Sequence, residues 1–224
     1  MSAPVVLVTG GNRGIGLEAC RALAARGARV LLGARGEKEG KAAAADAGAE
    51  FAALDVTDPK SVAALKKRVE KDFGALDVLV NNAGMYSQAG ALDASDEEIA
   101  AVLSTNLQGA WRMCRAFAPA MKTRGRGRIV NVSSGMGALS SMAAGSSAYR
   151  VSKAALNALT LTLADELKPS GVSVVSLCPG WVRTRMGGAS APRDPKDAGA
   201  AVAEAALGDA RSGVFVRDGK EIAW

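Results

Sequence analysis

Histidine is missing from the 224-residue chain. Its absence removes the commonest general acid–base side chain, the Ser-His-Asp triad and every imidazole metal ligand. Cysteine is scarce: Cys20, Cys114 and Cys178 are far apart, odd in number and form no CxxC pair. Neither a disulfide framework nor a zinc site is expected, and no metal is assigned. Aromatic residues are only 4% of a chain that is 49% hydrophobic, so the core must be built from Ala, Val and Leu. Alanine-rich helices packing closely on a Val/Leu sheet suit that composition. No run of 18 apolar residues and no charged-then-apolar leader occurs. Both absences point to a soluble, cytoplasmic protein with no membrane partner.

What is present begins with positive charge, 28 basic against 22 acidic residues for a net +6. Such a surplus attracts anions, including phosphorylated cofactors. The densest basic patch, "KTRGRGR" (Lys122–Arg128), lacks interleaved aromatics and lies between a helix pattern and a strand. It reads as a solvated surface turn, and no nucleic-acid partner is expected.

Apolar runs alternate with helical patterns along the whole chain. Strands are expected at "PVVLV", "ARVLLGA", "AEFAALDV", "LDVLVNNAG", "GRIVNVSS", "VSVVSLCPG" and "GVFVRDG". Helices are expected over Gly14–Arg26 and Glu37–Ala47, from Asp58-Pro59 to Phe73, and from the capping box "SDEE" (Ser95–Glu98) toward Phe117. Two more follow, over Ser147–Leu167 and from Asp194-Pro195 onward. Strands apolar throughout and alternating with helices imply an α/β fold, a single-domain doubly wound parallel sheet of seven strands with helices on both faces. No linker or repeat divides residues 1–224. Residues 1–90 read as mainly cofactor-binding and 91–224 as the catalytic and substrate-binding part. Ligands of such sheets bind beyond the carboxyl ends of the strands.

The first strand ends in "TGGNRGIG". Gly10 permits a tight turn, Gly14 a close backbone approach to a pyrophosphate, and Gly16 close packing, while the helix N-terminus offers amides to phosphate. The spacing is GxxxGxG rather than GxGxxG, and its place at the first strand-to-helix junction favours a nucleotide site. The second strand ends Gly33-Ala34-Arg35, with no acid until Glu37. A carboxylate there would repel a ribose 2′-phosphate, whereas Arg35 and Arg13 would hold one. Asp55, ending the third strand, either accepts the adenine amino group or caps the next turn. "NNAG" (Asn81–Gly84) ends the fourth strand, where polar side chains can fix a loop that faces the cofactor.

Without histidine, "SSAYRVSK" supplies the candidate acid. Tyr149 and Lys153 stand at i and i+4 and share a helix face. A nearby ammonium lowers the proton affinity of a tyrosine and fits it for proton transfer to a carbonyl oxygen. Ser134, in competition with Ser133, is placed to hold that oxygen. Asn106, a polar residue inside a helix pattern, is costly there unless it bonds something. It could hold a water that relays protons toward Lys153.

"TGGNRGIG", "NNAG", "STN", "VNVSS", "YRVSK" and "CPGWVRT", in this order from about Val5 to Thr184, resemble the short-chain dehydrogenase/reductase family. The resemblance implies a Rossmann-like fold, a nicotinamide cofactor and a catalytic tetrad of Asn106, Ser134, Tyr149 and Lys153. It assigns Ser134 over Ser133 and places Pro179 to Thr184 around the nicotinamide carboxamide. The cofactor contacts it implies are Gly10, Asn12, Arg13, Gly14, Ile15, Gly16, Arg35, Asp55, Val56, Asn82, Ala83, Gly84, Tyr149, Lys153, Pro179, Gly180, Val182 and Thr184. "GNRGIG", "GAR", "CPGWVRT" and "FVRDGKEIAW" are most similar to NADPH-dependent carbonyl reductases. Three features depart from that pattern. The insertion that animal carbonyl reductases carry before their tyrosine is missing, so substrate range and monomeric state do not carry over. Fifteen positions separate Ser134 from Tyr149, more than the common family spacing, and Arg185 stands where relatives often carry an acidic or small residue.

The expectation is an NADPH/NADP+ oxidoreductase that reduces ketone or aldehyde carbonyls, with Tyr149 as general acid and a small carbonyl compound as substrate. Met85, Tyr86, Met136, Met142, Trp181 and Met186 are expected to line a soft apolar substrate pocket. The alternatives are an NAD(P)-dependent alcohol dehydrogenase and a non-catalytic NADP-binding sensor or scaffold. Pairing through the helices after the fourth and fifth strands would give a homodimer or homotetramer.

Overall fold

Val5–Thr9 is buried along its whole length, as a strand covered on both faces must be. The computed structural model describes residues 3–209 and 211–224. This strand, β1, belongs to a sheet with β2 (Arg29–Ala34), β3 (Glu50–Ala53), β4 (Val78–Asn81), β5 (Gly127–Val132), β6 (Val172–Leu177), β7 (Val214–Arg217) and β8 (Lys220–Glu221). The order across the sheet is β3-β2-β1-β4-β5-β6-β7-β8. All neighbours run parallel except the last pair, in which β8 folds back antiparallel on β7. The eighth strand corrects the expected count of seven. It is two residues long, too short to show as a pattern. The order reverses between β1 and β4, so a crevice opens at the carboxyl ends of those two strands.

Successive side chains of β1 go to opposite layers. Val6 and Val8 join the core under α1 (Gly14–Ala25), α2 (Glu37–Asp46) and α7 (Pro195–Leu207). Val5 and Leu7 join the core under α3 (Pro59–Phe73), α5 (Ala110–Arg124) and α6 (Ser147–Leu167). Phe215 is the largest fully buried side chain among the described residues, and Phe117 is buried in the α3/α5/α6 layer. The core is otherwise mostly Val, Leu and Ala, as the aromatic-poor composition requires. Cys20, Cys114 and Cys178 are free and buried.

Local signals set the helix starts. Asp58 and Asp194 each accept the amide two residues on and are followed by proline, the arrangement read from their sequences. Such a cap is worth about 1 kcal/mol. The capping box at Ser95 is half formed. Ser95 accepts the Glu98 amide, but the Glu98 carboxylate turns away to the hydroxyl of Ser87.

Two expectations need correction. The helix expected from Ser95 to Phe117 is not continuous: α4 (Asp96–Leu103) passes into a wider π-helical segment, Ser104–Gly109, before α5 carries on to Arg124. The basic patch is also not a solvated turn throughout. Arg128 lies within β5 and donates to the Ser173 hydroxyl (2.9 Å) and to the carbonyls of Ala205 (3.0 Å) and Gly208. Arg124 donates to the Leu76 carbonyl. Both guanidiniums sew helix and strand ends together, whereas Lys122 and Arg126 remain exposed. No described helix is long and apolar enough to cross a membrane, and no described group of acidic or cysteine side chains could hold a metal ion.

Candidate active site

A cleft of about 720 Å³ opens at the carboxyl ends of β1 and β4, where the strand order reverses. One wall is the turn between β1 and α1. Gly10 has φ +64°, and a Cβ on Gly16 would lie 2.4 Å from the Gly10 carbonyl oxygen and 2.5 Å from Asn82 Nδ2. Thr9 anchors this wall to the next strand, its hydroxyl accepting the amides of Asn82 (3.0 Å) and Ala83 (2.9 Å). Asn82 Nδ2 returns the link by donating to the carbonyls of Thr9 (2.8 Å) and Gly10 (3.2 Å). The polar end of β4 therefore holds the glycine turn in shape. Gly16→Ala is expected to weaken binding of a dinucleotide at least about tenfold, since the clash is with backbone that cannot swing aside. Titration of the variant by tryptophan quenching or calorimetry checks this.

Arg13 and Arg35 stand exposed on the rim of the same cleft, and neither forms a salt bridge with a described carboxylate. Asp55, also on the wall, accepts both the amide (2.9 Å) and the hydroxyl (2.7 Å) of Thr57 at one oxygen. It thus caps its turn while still lining the cleft. Burial works to raise its proton affinity, but the two bonds from Thr57 and the nearby Arg35 outweigh it and hold the carboxyl below its ordinary range.

The opposite wall is the first turn of α6. Ser146, just before the helix, adopts φ +53° and shares a 2.7 Å hydrogen bond with the Tyr86 hydroxyl. Its amide and that of Ser147 donate to the carbonyls of Gln88 (3.1 Å) and Ala89 (3.0 Å), so the segment after β4 seats the start of the helix. Tyr149 is 8% exposed, with the Tyr86 ring edge-on to it at 5.0 Å. Lys153 is 5% exposed, donates to the Val132 carbonyl at 2.7 Å and lies 5.7 Å from the Tyr149 ring centroid.

The electrostatics of this pair differ from the sequence expectation. Burial pushes the Tyr149 phenol up to about 12, with hydrogen bonding from Ser134 acting against it and Cys178 and Tyr86 adding to it. Burial alone pushes Lys153 down to about 8. The ammonium does not lower the phenol as expected, because the same burial opposes charge on both groups. Tyr149 is consequently protonated throughout the neutral range.

Ser134, immediately after β5 and Ser133, accepts the Met136 amide at 3.1 Å. Its own O–H is then the donor directed at the Tyr149 oxygen. Ser133 lines the cleft, but its hydroxyl is turned to the Lys153 carbonyl at 3.3 Å. Asn106, in the π-helical segment, has both of its donor hydrogens engaged. Its Nδ2 donates to the Met85 carbonyl (2.9 Å) and the Ser152 hydroxyl (3.0 Å), and its Oδ1 accepts the Met85 amide (2.8 Å). Ser152 in turn donates to the Tyr149 carbonyl at 2.7 Å. The side chain thus ties the segment after β4 to the turn of α6 that bears Tyr149, and it has no donor left for a water.

Most expected cofactor contacts lie on the cleft: Gly10, Asn12, Arg13, Gly14, Ile15, Gly16, Arg35, Asp55, Val56, Asn82, Ala83, Gly84, Tyr149, Lys153, Pro179 and Thr184. Gly180 and Val182 do not line it. Val182 is buried and forms a β-bridge with Arg193, which closes the base of the loop carrying Thr184, Arg185 and Met186. Of the expected substrate contacts, Met85, Tyr86 and Met186 line the cleft. Met136, Met142 and Trp181 do not. Trp181 donates instead to the Gly187 carbonyl at 2.8 Å and is 57% exposed, and Met142 is 40% exposed. Thr57, Gln88, Thr105 and Arg185 line the cleft and Thr9 supports its wall, though the motifs did not single them out as ligands. Thr9 and Thr57 each adjoin a residue that was, and a hydroxyl beside a strand-end turn is the signal that could have found them.

Residues 4–194 match the short chain dehydrogenase family. The chain is 41% identical over 184 residues to a 3-alpha-(or 20-beta)-hydroxysteroid dehydrogenase of Mycobacterium tuberculosis, covering 81% of this chain and 70% of that one. It is 35% identical over 184 residues to the 3-oxoacyl-acyl-carrier-protein reductase FabG of Escherichia coli, covering 81% of this chain and 75% of the relative. A crystal structure of a short-chain dehydrogenase from Streptomyces avermitilis superposes with a TM-score of 0.87 at 32% identity, over 96% of this chain and 88% of that one.

Proposed function

The chain belongs to the short-chain dehydrogenase/reductase family of carbonyl and alcohol oxidoreductases, and on that premise we propose that it reduces ketones or aldehydes with NADPH. The observation that carries the reading is Tyr149, a buried phenol kept protonated between Ser134 and Lys153 on the wall of a cleft with a glycine-lined phosphate cradle.

The residues present fit such a cofactor. The space kept by Gly10 and Gly16 suits a close backbone approach to a diphosphate, and the N-terminus of α1 suits its charge. Arg13 and Arg35 would hold a 2′-phosphate, Asp55 and Val56 the adenine side, and Pro179 and Thr184 the nicotinamide side. When bound, the reduced nicotinamide supplies a hydride. Tyr149 donates its proton to the carbonyl oxygen. Ser134, its acceptor side occupied by the Met136 amide, directs its own O–H to that oxygen and stabilises the developing negative charge. Lys153 supplies a buried cation beside Tyr149 and a contact for the ribose. Asn106 acts by positioning the Tyr149 turn. Met85, Tyr86 and Met186 form the apolar part of the substrate site.

NADP rather than NAD rests on the rim charges. Replacing Arg13 and Arg35 together by alanine is expected to weaken NADPH binding about 10–100-fold, the value of losing charge-assisted hydrogen bonds, and to leave NADH within about twofold. Dissociation constants for both nucleotides decide it, and a wild type that prefers NADH would remove the reading. The same reading includes self-association. Trp111 on α5 and Val151 and Leu161 on α6 are 49%, 56% and 41% exposed, an apolar surface on the two helices that would pair.

A further inference from the structure

Arg217 ends β7 at the same edge of the sheet as Ser134, yet it forms no salt bridge with a described carboxylate. Its guanidinium forks over a sulfur instead. Nη2 lies 2.9 Å and Nε 3.2 Å from Cys178 Sγ. The same sulfur accepts the Gly135 amide at 3.1 Å. Cys178, 2% exposed, follows β6 directly and precedes Pro179 of the cleft wall. One buried atom therefore gathers the carboxyl ends of β5, β6 and β7.

A sulfur is ordinarily a weak acceptor, and three N–H donors directed at one is an uncommon use of a guanidinium. The amide it holds belongs to the residue after Ser134, so the bond fixes the peptide that sets the direction of the Ser134 side chain. Within the turn, Met136 N donates to Ser134 Oγ and Gly137 N to the Ser134 carbonyl at 2.9 Å, and Asn157 Nδ2 of α6 donates to the Gly137 carbonyl at 3.2 Å. Ser133 N, just before the turn, donates to the Leu177 carbonyl of β6 at 2.7 Å, and the Cys178 link adds the tie of the Gly135 amide itself to the ends of β6 and β7. Space is reserved for it, since a Cβ on Gly135 would fall 2.5 Å from Arg217 Nη2.

We propose that Arg217 is a positioning residue for carbonyl reduction, acting through Cys178 and the Gly135 amide to hold Ser134 in its donating orientation. This rests on the reductase reading above. Arg217→Met is expected to lower kcat about tenfold or more while NADPH affinity stays within about twofold, because a small misplacement of an orienting group is felt in the chemical step. Cys178→Ala should follow it, and Cys178→Ser, which keeps an acceptor, should recover most of the loss.

The decisive measurement is a double-mutant cycle with Ser134→Ala. If Arg217 works through Ser134, adding Arg217→Met to Ser134→Ala changes kcat by less than about twofold. A further loss as large as that in the wild-type background overturns the proposal. So do Arg217→Met and Cys178→Ala variants that both keep wild-type kcat. If Arg217→Met does not fold, Cys178→Ala and Cys178→Ser in the Ser134→Ala background carry the same test. A wild type that reduces no carbonyl compound with NADPH overturns the reductase reading itself, and this proposal with it.

Discussion

Tyr149→Phe is expected to remove turnover of carbonyl substrates by about 10²–10⁴-fold, the usual worth of a positioned general acid, and to leave NADPH binding within about twofold. The substitution deletes one hydroxyl and keeps the ring, which is packed edge-on against Tyr86. The fold should accept it, because burial opposes charge at this site and a phenyl group carries none. The pH dependence has a definite sign. Reduction needs the protonated phenol, and burial holds it protonated up to about 12, so the free enzyme should show no alkaline loss of reduction from this group across the neutral range. Oxidation of the alcohol product needs the phenolate and should rise steadily with pH. NADPH consumption over a panel of ketones, aldehydes, diketones and quinones, with the variant alongside, measures the effect. Unchanged turnover in the variant would remove Tyr149 from the mechanism.

Features that depend on a few consecutive residues were legible in the sequence. The glycine turn, the Asp58-Pro59 and Asp194-Pro195 helix starts and the alternation that yields a doubly wound sheet are all local patterns. Features made by distant residues were not. The π-helical register over Ser104–Gly109 depends on which carbonyl each amide finds, and nothing in "STNLQG" distinguishes that from α-helix. Arg217 and Cys178 are 39 positions apart, and a cysteine before "PG" shows no sign that a guanidinium will fork over it. Apolar character also failed to tell a cleft wall from an exposed loop. Met85 and Met186 line the cleft, whereas Met142 and Trp181, on loops of similar composition, do not. The interaction of Tyr149 with Lys153 is the sharpest instance. The i, i+4 spacing placed them on one helix face, but the sign of the change in the phenol came from burial, which spacing does not report.

Burial of Lys153 also makes a prediction about stability that activity alone would miss. Its folded value of about 8 lies below the 10.5 of the unconstrained side chain. Below pH 8 both folded and unfolded states carry the proton, and the cost of burying the charge is fully present. Between about 8 and 10.5 the unfolded state holds more protons than the folded one, so the contribution of Lys153 to stability rises with pH. Tyr149 has the opposite sign, but its window opens only above 10, where the unfolded phenol ionises and the folded one does not. From pH 8 to 10 the lysine term therefore stands apart from that of Tyr149. Lys153→Met should lose turnover by about 10²-fold or more through the loss of the buried cation. In unfolding experiments without nucleotide, the stability of the wild type relative to Lys153→Met should increase on the order of 1–3 kcal/mol between pH 8 and 10, since each unit of displacement is worth about 1.4 kcal/mol. The bond from Lys153 to the Val132 carbonyl shifts the difference at every pH by a similar amount and leaves its slope intact. A difference that stays flat across this window would mean that Lys153 keeps its proton as readily folded as unfolded. The cation beside Tyr149 would then be a solvated one, and its part in catalysis would have to come from contact with the cofactor ribose alone.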